Sequence, residues 1–186
     1  MRIISGKYKG KKIFHPLDNF TRPLKDLTKE SIFNIIKHSN KFRINFINSH
    51  ILDLFSGVGS FGIECISRDV NKVIFVERNS TAFNVLKKNV LSLKLSGKVE
   101  LKYLDIKNYL ENLEENNKFD LFFLDPPYRD NSYIEIIKLI KKKGIFSKNH
   151  LVVIHREKSC EDEINKILKV NLLKSYGRSK IIFGSF

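Results

Sequence analysis

Asp53-Leu54-Phe55-Ser56-Gly57-Val58-Gly59-Ser60-Phe61-Gly62 is a short apolar run that exits into a glycine-rich turn and then into a helix start. Gly57 and Gly59 can take positive φ and let a backbone approach a ligand closely, at the carboxyl end of a strand, where open α/β sheets bind. The same spacing also serves as a plain joint between strand and helix, so its meaning rests on what surrounds it.

On either side of this loop the pattern is regular. Ile51–Phe55 and Lys72–Glu77 read as strands, with a crossover helix over Gly59–Arg68 between them. A helix with apolar positions Ala82, Val85, Leu86, Val90 and Leu93 precedes a strand over Val99–Leu104. The strand Phe119–Leu124 is nearly all apolar, as expected when both faces of a sheet are covered. Ser132 can cap a helix carrying Ile134, Ile137 and Ile140, and Leu151–Ile154 is a fifth strand. Strand and helix in alternation imply a parallel sheet with right-handed crossovers. The ending breaks the pattern: Leu172–Tyr176 and Ser179–Phe183 flank Gly177-Arg178, a two-residue hairpin that sets the last strand antiparallel to its neighbour.

Carboxylates recur after successive strands. Glu77 closes the second and can accept both hydroxyls of a ribose, which points to a nucleoside in the ligand. Asp105 follows the third, where a carboxylate could accept from the exocyclic amine of adenine. Asp125-Pro126-Pro127-Tyr128 follows the fourth. Two prolines fix φ and remove two backbone donors, so this loop offers a carboxylate and carbonyls and is built to receive hydrogens. An exocyclic amine on a nucleobase supplies them, and Tyr128 offers a flat face on which an extruded base can stack.

The chain has 186 residues, with 34 Lys and Arg against 20 Asp and Glu, a formal charge of +14. Residues 1–50 carry 11 basic and 3 acidic residues, a net +8 in about a quarter of the length. Such a concentration favours a polyanionic partner. Arg2-Ile3-Ile4-Ser5 and Lys11-Lys12-Ile13-Phe14 flank a turn from Gly6 to Gly10, a small basic hairpin. Pro23 and Asp26 precede a helical segment to about His38 with an apolar side made by Ile32, Phe33, Ile35 and Ile36. No apolar run approaches the ~18 residues of a membrane helix, and Cys65 and Cys160 have neither metal-ligand nor disulfide spacing. The expectation is a metal-free, cytoplasmic protein, without membrane attachment and monomeric. Lys141-Lys142-Lys143 complements a helix dipole. Cys65 and His155 read as packing residues.

The glycine loop followed by the Asp-Pro-Pro-Tyr tetrad resembles the class I S-adenosylmethionine-dependent methyltransferases that modify exocyclic amines. Residues 2–13, Thr21-Arg22-Pro23 with Asp26, Lys29-Glu30 and Phe33-Asn34, and the ending Tyr176–Phe183 resemble, more narrowly, the bacterial 16S ribosomal RNA guanine-N2 methyltransferases of the RsmD type. The likeness spans essentially the whole chain, although Leu24-Lys25-Asp26-Leu27 stands where relatives usually read Thr-Thr-Asp-Arg. It implies a Rossmann-like α/β fold with a seven-stranded, mostly parallel sheet and an antiparallel C-terminal strand. It divides the chain into a basic, RNA-contacting extension over residues 1–45 and an S-adenosylmethionine-binding domain over residues 46–186. It implies that Gly57, Gly59 and Phe55 border the methionine part of S-adenosylmethionine, with Asp53 near its amino group. Glu77 would hold the ribose and Asp105 the adenine amine, while Asp125, with the Pro126 carbonyl beside Pro127 and Tyr128, would take the target N2. Arg2, Lys7, Lys9, Lys11, Lys12 and Arg22 would face ribosomal RNA or the small subunit; Arg22 could equally meet the cofactor carboxylate. The tetrad is shared with adenine-N6 enzymes, so an adenine-N6 methyltransferase stays open, as does a noncatalytic RNA-binding assembly factor.

Overall fold

A computed structural model describes residues 1–16, 24–127, 130–160 and 164–186. Seven strands form one sheet in the order β3-β2-β1-β4-β5-β7-β6: β1 His50–Leu54, β2 Lys72–Glu77, β3 Val99–Tyr103, β4 Phe119–Leu124, β5 Phe146–Glu157, β6 Lys169–Tyr176 and β7 Ser179–Ser185. The first five run parallel, and β7 is antiparallel to both β5 and β6. Helices α1 Asp26–His38, α2 Ser60–Ser67, α3 Ser80–Ser92, α4 Ile106–Glu111 and α5 Tyr133–Lys143 cover the sheet. Among the described residues no helix is long and apolar enough to cross a membrane.

Apolar side chains leave both faces of the central strands, and each face has its own core. On one face Ile51, Leu121, Phe123 and Val153 pack with α1 and α2. A column of rings runs through it, Phe33 at 5.0 Å from Phe61 and Phe61 at 3.9 Å from Phe123. On the other face Leu52, Leu54, Val152 and Ile154 pack with Tyr133, Ile137 and Ile140 of α5.

The N-terminal hairpin is present as a single antiparallel bridge between Arg2 and Lys12 around the Gly6–Gly10 turn. It docks on α2 through its backbone. Ile4 and Ser5 donate their N–H groups to the buried Glu64 carboxylate at 2.8 and 3.0 Å, and Lys7 N–H donates to the Ser67 carbonyl at 2.7 Å. Gly6, at φ +79°, lies so close that a Cβ there would stand 1.7 Å from that carbonyl oxygen. The Lys29 ammonium, fully buried, donates to the Arg2 carbonyl at 2.9 Å and to Ser60 Oγ at 3.2 Å, and burial pushes its pKa down.

Three expectations need correction. The fifth strand is longer than Leu151–Ile154, since its first half, with Lys148 and Asn149 exposed, lacks the apolar signal of its second. Helix α4 was not anticipated. Ser132 stands at the start of α5 but its hydroxyl makes no cap bond; Asp130 Oδ1 instead accepts from the Ser132 N–H at 2.8 Å.

Candidate active site

The tips of the parallel strands open into a cavity of about 830 Å³. At the β1 tip the chain turns sharply: Phe55 (φ +57°), Gly57 (φ +54°) and Gly59 (φ +83°) all adopt left-handed backbone. For Phe55 this conformation is strained, and such strain is stored where a loop is over-determined by its surroundings. The two glycines serve different ends. A Cβ on Gly59 would meet Leu86 Cδ1 at 2.4 Å, so this residue is set by packing against α3, whereas a Cβ on Gly57 would project into open space.

Glu77 organises this loop. Its Oε2 accepts from Gly57 N–H and its Oε1 from Asn79 N–H, both at 2.7 Å. Asp53 is buried below the loop with Oδ2 accepting from Gly62 N–H at 3.0 Å, while Oδ1 has no partner among the described residues. Burial raises its pKa well above the usual carboxylate range; the Gly62 hydrogen bond opposes the rise, and the negative charges of Asp125 and Glu77 add to it. Asp105 caps α4 by accepting from Lys107 N–H at 2.9 Å and pairs with Arg78 at 3.3 Å. Arg78 also approaches Asp130 at 3.7 Å, but its exposure makes these pairs weak.

Asp125 begins the tetrad at the β4 tip and lines the same cavity as Asp53, Gly57, Glu77 and Asp105. Its Oδ1 lies 2.8 Å from His155 Nδ1. His155, expected to be only a packing residue, is therefore a corrected assignment: it is buried, yet it faces the cavity and the tetrad carboxylate. Pro126 and Pro127 line the cavity as well, and the Pro127 carbonyl is turned away to Asp130 N–H at 2.8 Å and Arg156 Nη1 at 3.2 Å. Tyr128 and Arg22 lie outside the described residues. Cys65 is fully buried, and burial drives its thiol pKa upward, away from nucleophilic chemistry. Arg2, Lys7, Lys9, Lys11 and Lys12 are all exposed on the hairpin.

The family described as Conserved hypothetical protein 95 matches residues 1–185. The chain is 34% identical over 160 residues to ribosomal RNA small subunit methyltransferase D of Haemophilus influenzae, covering 85% of this chain and 79% of that one. It is 32% identical over 171 residues to the protein of the same name from Buchnera aphidicola, covering 90% and 80%. The chain belongs to the ribosomal RNA small subunit methyltransferase D family. Solved structures agree on its fold: one from Haemophilus influenzae matches with a TM-score of 0.76 at 29% identity over 98% of this chain and 96% of that one. Another, from Escherichia coli, matches with a TM-score of 0.81 at 23% identity over 99% and 96%.

In this family member two further residues, unnoticed in the sequence, support the site. Asn89 on α3 is fully buried. Its amide donates to the carbonyls of Val58 (3.0 Å) and Phe14 (3.1 Å) and accepts from Phe14 N–H at 2.8 Å, tying the hairpin's exit to the glycine loop. Arg156, also fully buried, donates to the carbonyls of Pro127 and Asp130 at 3.2 Å and to Asn131 Oδ1 at 3.1 Å. No sequence signal marks Asn89, and Arg156, between His155 and Glu157 just after the apolar run Leu151–Ile154, reads as an ordinary charged strand end.

Proposed function

We propose that this protein transfers a methyl group from S-adenosylmethionine to the exocyclic N2 amine of a guanine in small-subunit ribosomal RNA. The observation that carries the reading is that one cavity joins the Asp125-Pro126-Pro127 acceptors to a glycine loop whose carboxylates, Asp53 and Glu77, sit at neighbouring strand tips. Relatives named ribosomal RNA small subunit methyltransferase D support the substrate class.

The residues fit such a cofactor. Asp53 Oδ1 is a buried acceptor without a donor among the described residues, and a cationic amino group is the partner that would satisfy it and hold the carboxylate ionised. The open space over Gly57 leaves room for a methionine chain, and Glu77 and Asp105 line the same cavity, which supports giving the ribose to Glu77 and the adenine amine to Asp105. Six carboxylates, Asp53, Glu77, Asp105, Glu111, Asp125 and Glu135, line one cavity in a protein of charge +14 and separate two tasks, a cation inside and a polyanion outside.

S-adenosylmethionine, when bound, supplies an electrophilic methyl group on a positively charged sulfur. The protein's part is positioning. Asp125 and the Pro126 carbonyl accept the hydrogens of the target amine and so keep its lone pair on nitrogen, aimed at the methyl group. No side chain need withdraw a proton beforehand, because the N–H becomes acidic only as nitrogen gains positive charge. A base inside an RNA fold must leave its stack to enter, and Tyr128 is assigned as its stacking face. Residues 1–45, with Arg2, Lys7, Lys9, Lys11, Lys12 and Arg22, form the RNA-contacting part, and residues 46–186 the methyltransferase domain.

The test is direct. The protein is incubated with labelled S-adenosylmethionine and undermodified small-subunit particles, and the RNA is digested to nucleosides. N2-methylguanosine is the expected product. N6-methyladenosine would move the assignment to adenine, and no labelled nucleoside would overturn the reading.

A further inference from the structure

We infer that His155 is a positioning residue for methyl transfer: its Nδ1–H pins Asp125 Oδ1, so that Asp125 Oδ2 is the oxygen presented to the target amine. This role deepens the proposed methyl transfer to guanine and rests on it.

β4 and β5 run parallel with Phe123 beside Val153 and Leu124 beside Ile154. Strand alternation carries the next residues on the Phe123 and Val153 face, Asp125 and His155, to adjacent places where the sheet meets the cavity. There Nδ1 and Oδ1 lie 2.8 Å apart, with side-chain exposures of 8% for His155 and 23% for Asp125. An ionised carboxylate only accepts, so Nδ1 carries the hydrogen. The torsion that turns a carboxylate about its Cβ–Cγ bond is broad and soft, and one hydrogen bond to Oδ1 fixes it.

The next residue of β5 points to the opposite face and holds the loop from behind. Arg156 Nη1 takes the Pro127 and Asp130 carbonyls at 3.2 Å, and its guanidinium lies 4.6 Å from the Tyr133 ring centre. With Asp125 Oδ1 given to His155 and the Pro127 carbonyl given to Arg156, the pair left for the amine's hydrogens is Asp125 Oδ2 and the Pro126 carbonyl. Adjacent residues of one strand thus set the direction of both acceptors.

The experiment compares three substitutions. His155→Asn places an amide N–H near the position of Nδ1; His155→Leu keeps bulk without a donor; His155→Gln extends its amide past that position. For the Leu and Gln variants kcat on small-subunit particles should fall about 10- to 100-fold, as when an orienting partner is lost. KM for the particles and the affinity for S-adenosylmethionine, measured by calorimetry, should not change. His155→Asn should recover kcat to within about threefold of the wild type. In ¹⁵N-histidine spectra of the cofactor-free protein, His155 should show the Nδ1-protonated tautomer, and Asp125→Ala should abolish that preference. A Leu variant as active as the wild type, an Asn variant as slow as the Leu variant, or a tautomer indifferent to Asp125→Ala would each overturn the inference. If the Leu variant does not fold, the comparison of Asn with Gln decides. A wild-type protein that methylates nothing would sink the function reading instead, and the spectra would still report on the His155–Asp125 pair.

Discussion

The N–H of Gly57 donates to Glu77 Oε2 across the gap between two strand tips, at 2.7 Å. The other oxygen of the same carboxylate takes Asn79 N–H at an equal distance, so Glu77 builds the ligand loop before it meets any ligand. Glu77→Gln keeps one acceptor but turns an NH₂ group toward an N–H. Losing one charge-assisted bond of this kind costs about 2 kcal/mol. The empty protein should therefore lose about 4–8 °C in Tm, and calorimetry should show S-adenosylmethionine bound at least about tenfold more weakly. An unchanged Tm in the absence of ligand would mean that Glu77 serves the ribose alone.

Asp53 makes the opposite prediction for stability. Its pKa is raised in the fold, chiefly by burial, so its stabilising contribution is complete below the ordinary carboxylate value and is lost as pH rises through the folded value. Asp53→Asn removes this loss. The substitution retains an acceptor for Gly62 N–H and exchanges one unpartnered buried atom for another. At pH 8 the empty Asn variant should melt about 3–6 °C above the wild type; at pH 4 the two should coincide. Added S-adenosylmethionine should stabilise the wild type far more than the variant, because the amide has no charge to offer an amino group. Equal stabilisation of the two would remove Asp53 from the cofactor site.

These sites differ in how far the sequence discloses them. Gly57 and Gly59 were readable because a left-handed turn after an apolar strand leaves few other residues possible, and both do adopt positive φ. β2 and β4 were readable because both faces are covered, leaving the apolar runs Val73–Val76 and Leu121–Leu124. Helix α4 has only six residues and barely completes a period. His155 is 30 residues from Asp125 and meets it only through the parallel register of β4 and β5, which local pattern does not specify. Asn89 is likewise defined by a partner 75 residues away, the backbone of Phe14. Short-range chemistry is visible in a sequence; alignment between strands must be seen.

His150 ties the C-terminus to β5 and should give the fold an acid limb. Its Nε2 accepts from Phe186 N–H at 2.8 Å while Nδ1 lies 2.7 Å from the Ser147 carbonyl, an arrangement available only to the neutral ring. Burial holds its pKa below the ordinary value, partly offset by the Ser147 bond. The unfolded chain therefore takes up the proton first as pH falls. Stability should be complete above the unfolded value of about 6.5 and decline below it until the folded group also titrates. Between pH 7 and pH 5 the loss should be about 2–4 °C in Tm, the equivalent of one ordinary hydrogen bond. His150→Gln, titrated in parallel by thermal melts, should lack that component; an identical acid limb in the variant would assign it elsewhere.

The hairpin lysines can be tested apart from the hairpin. Removing residues 1–14 would strip Ile3 and Ile13 from the core and leave the buried Glu64 without its Ile4 and Ser5 donors, so lost RNA binding would follow from misfolding alone. Lys7, Lys9, Lys11 and Lys12 are exposed, and the segment that carries them is anchored by backbone groups such as Lys7 N–H on Ser67. Changing all four to Gln should leave Tm within about 2 °C, as surface substitutions of this kind do. RNA affinity at low salt should fall, and the slope of log K against log salt should become shallower by about 0.7–0.9 for each lysine that had neutralised a phosphate. Filter binding or fluorescence anisotropy across a salt series measures both quantities at once. An unaltered slope in a folded quadruple variant would take the hairpin out of the RNA interface.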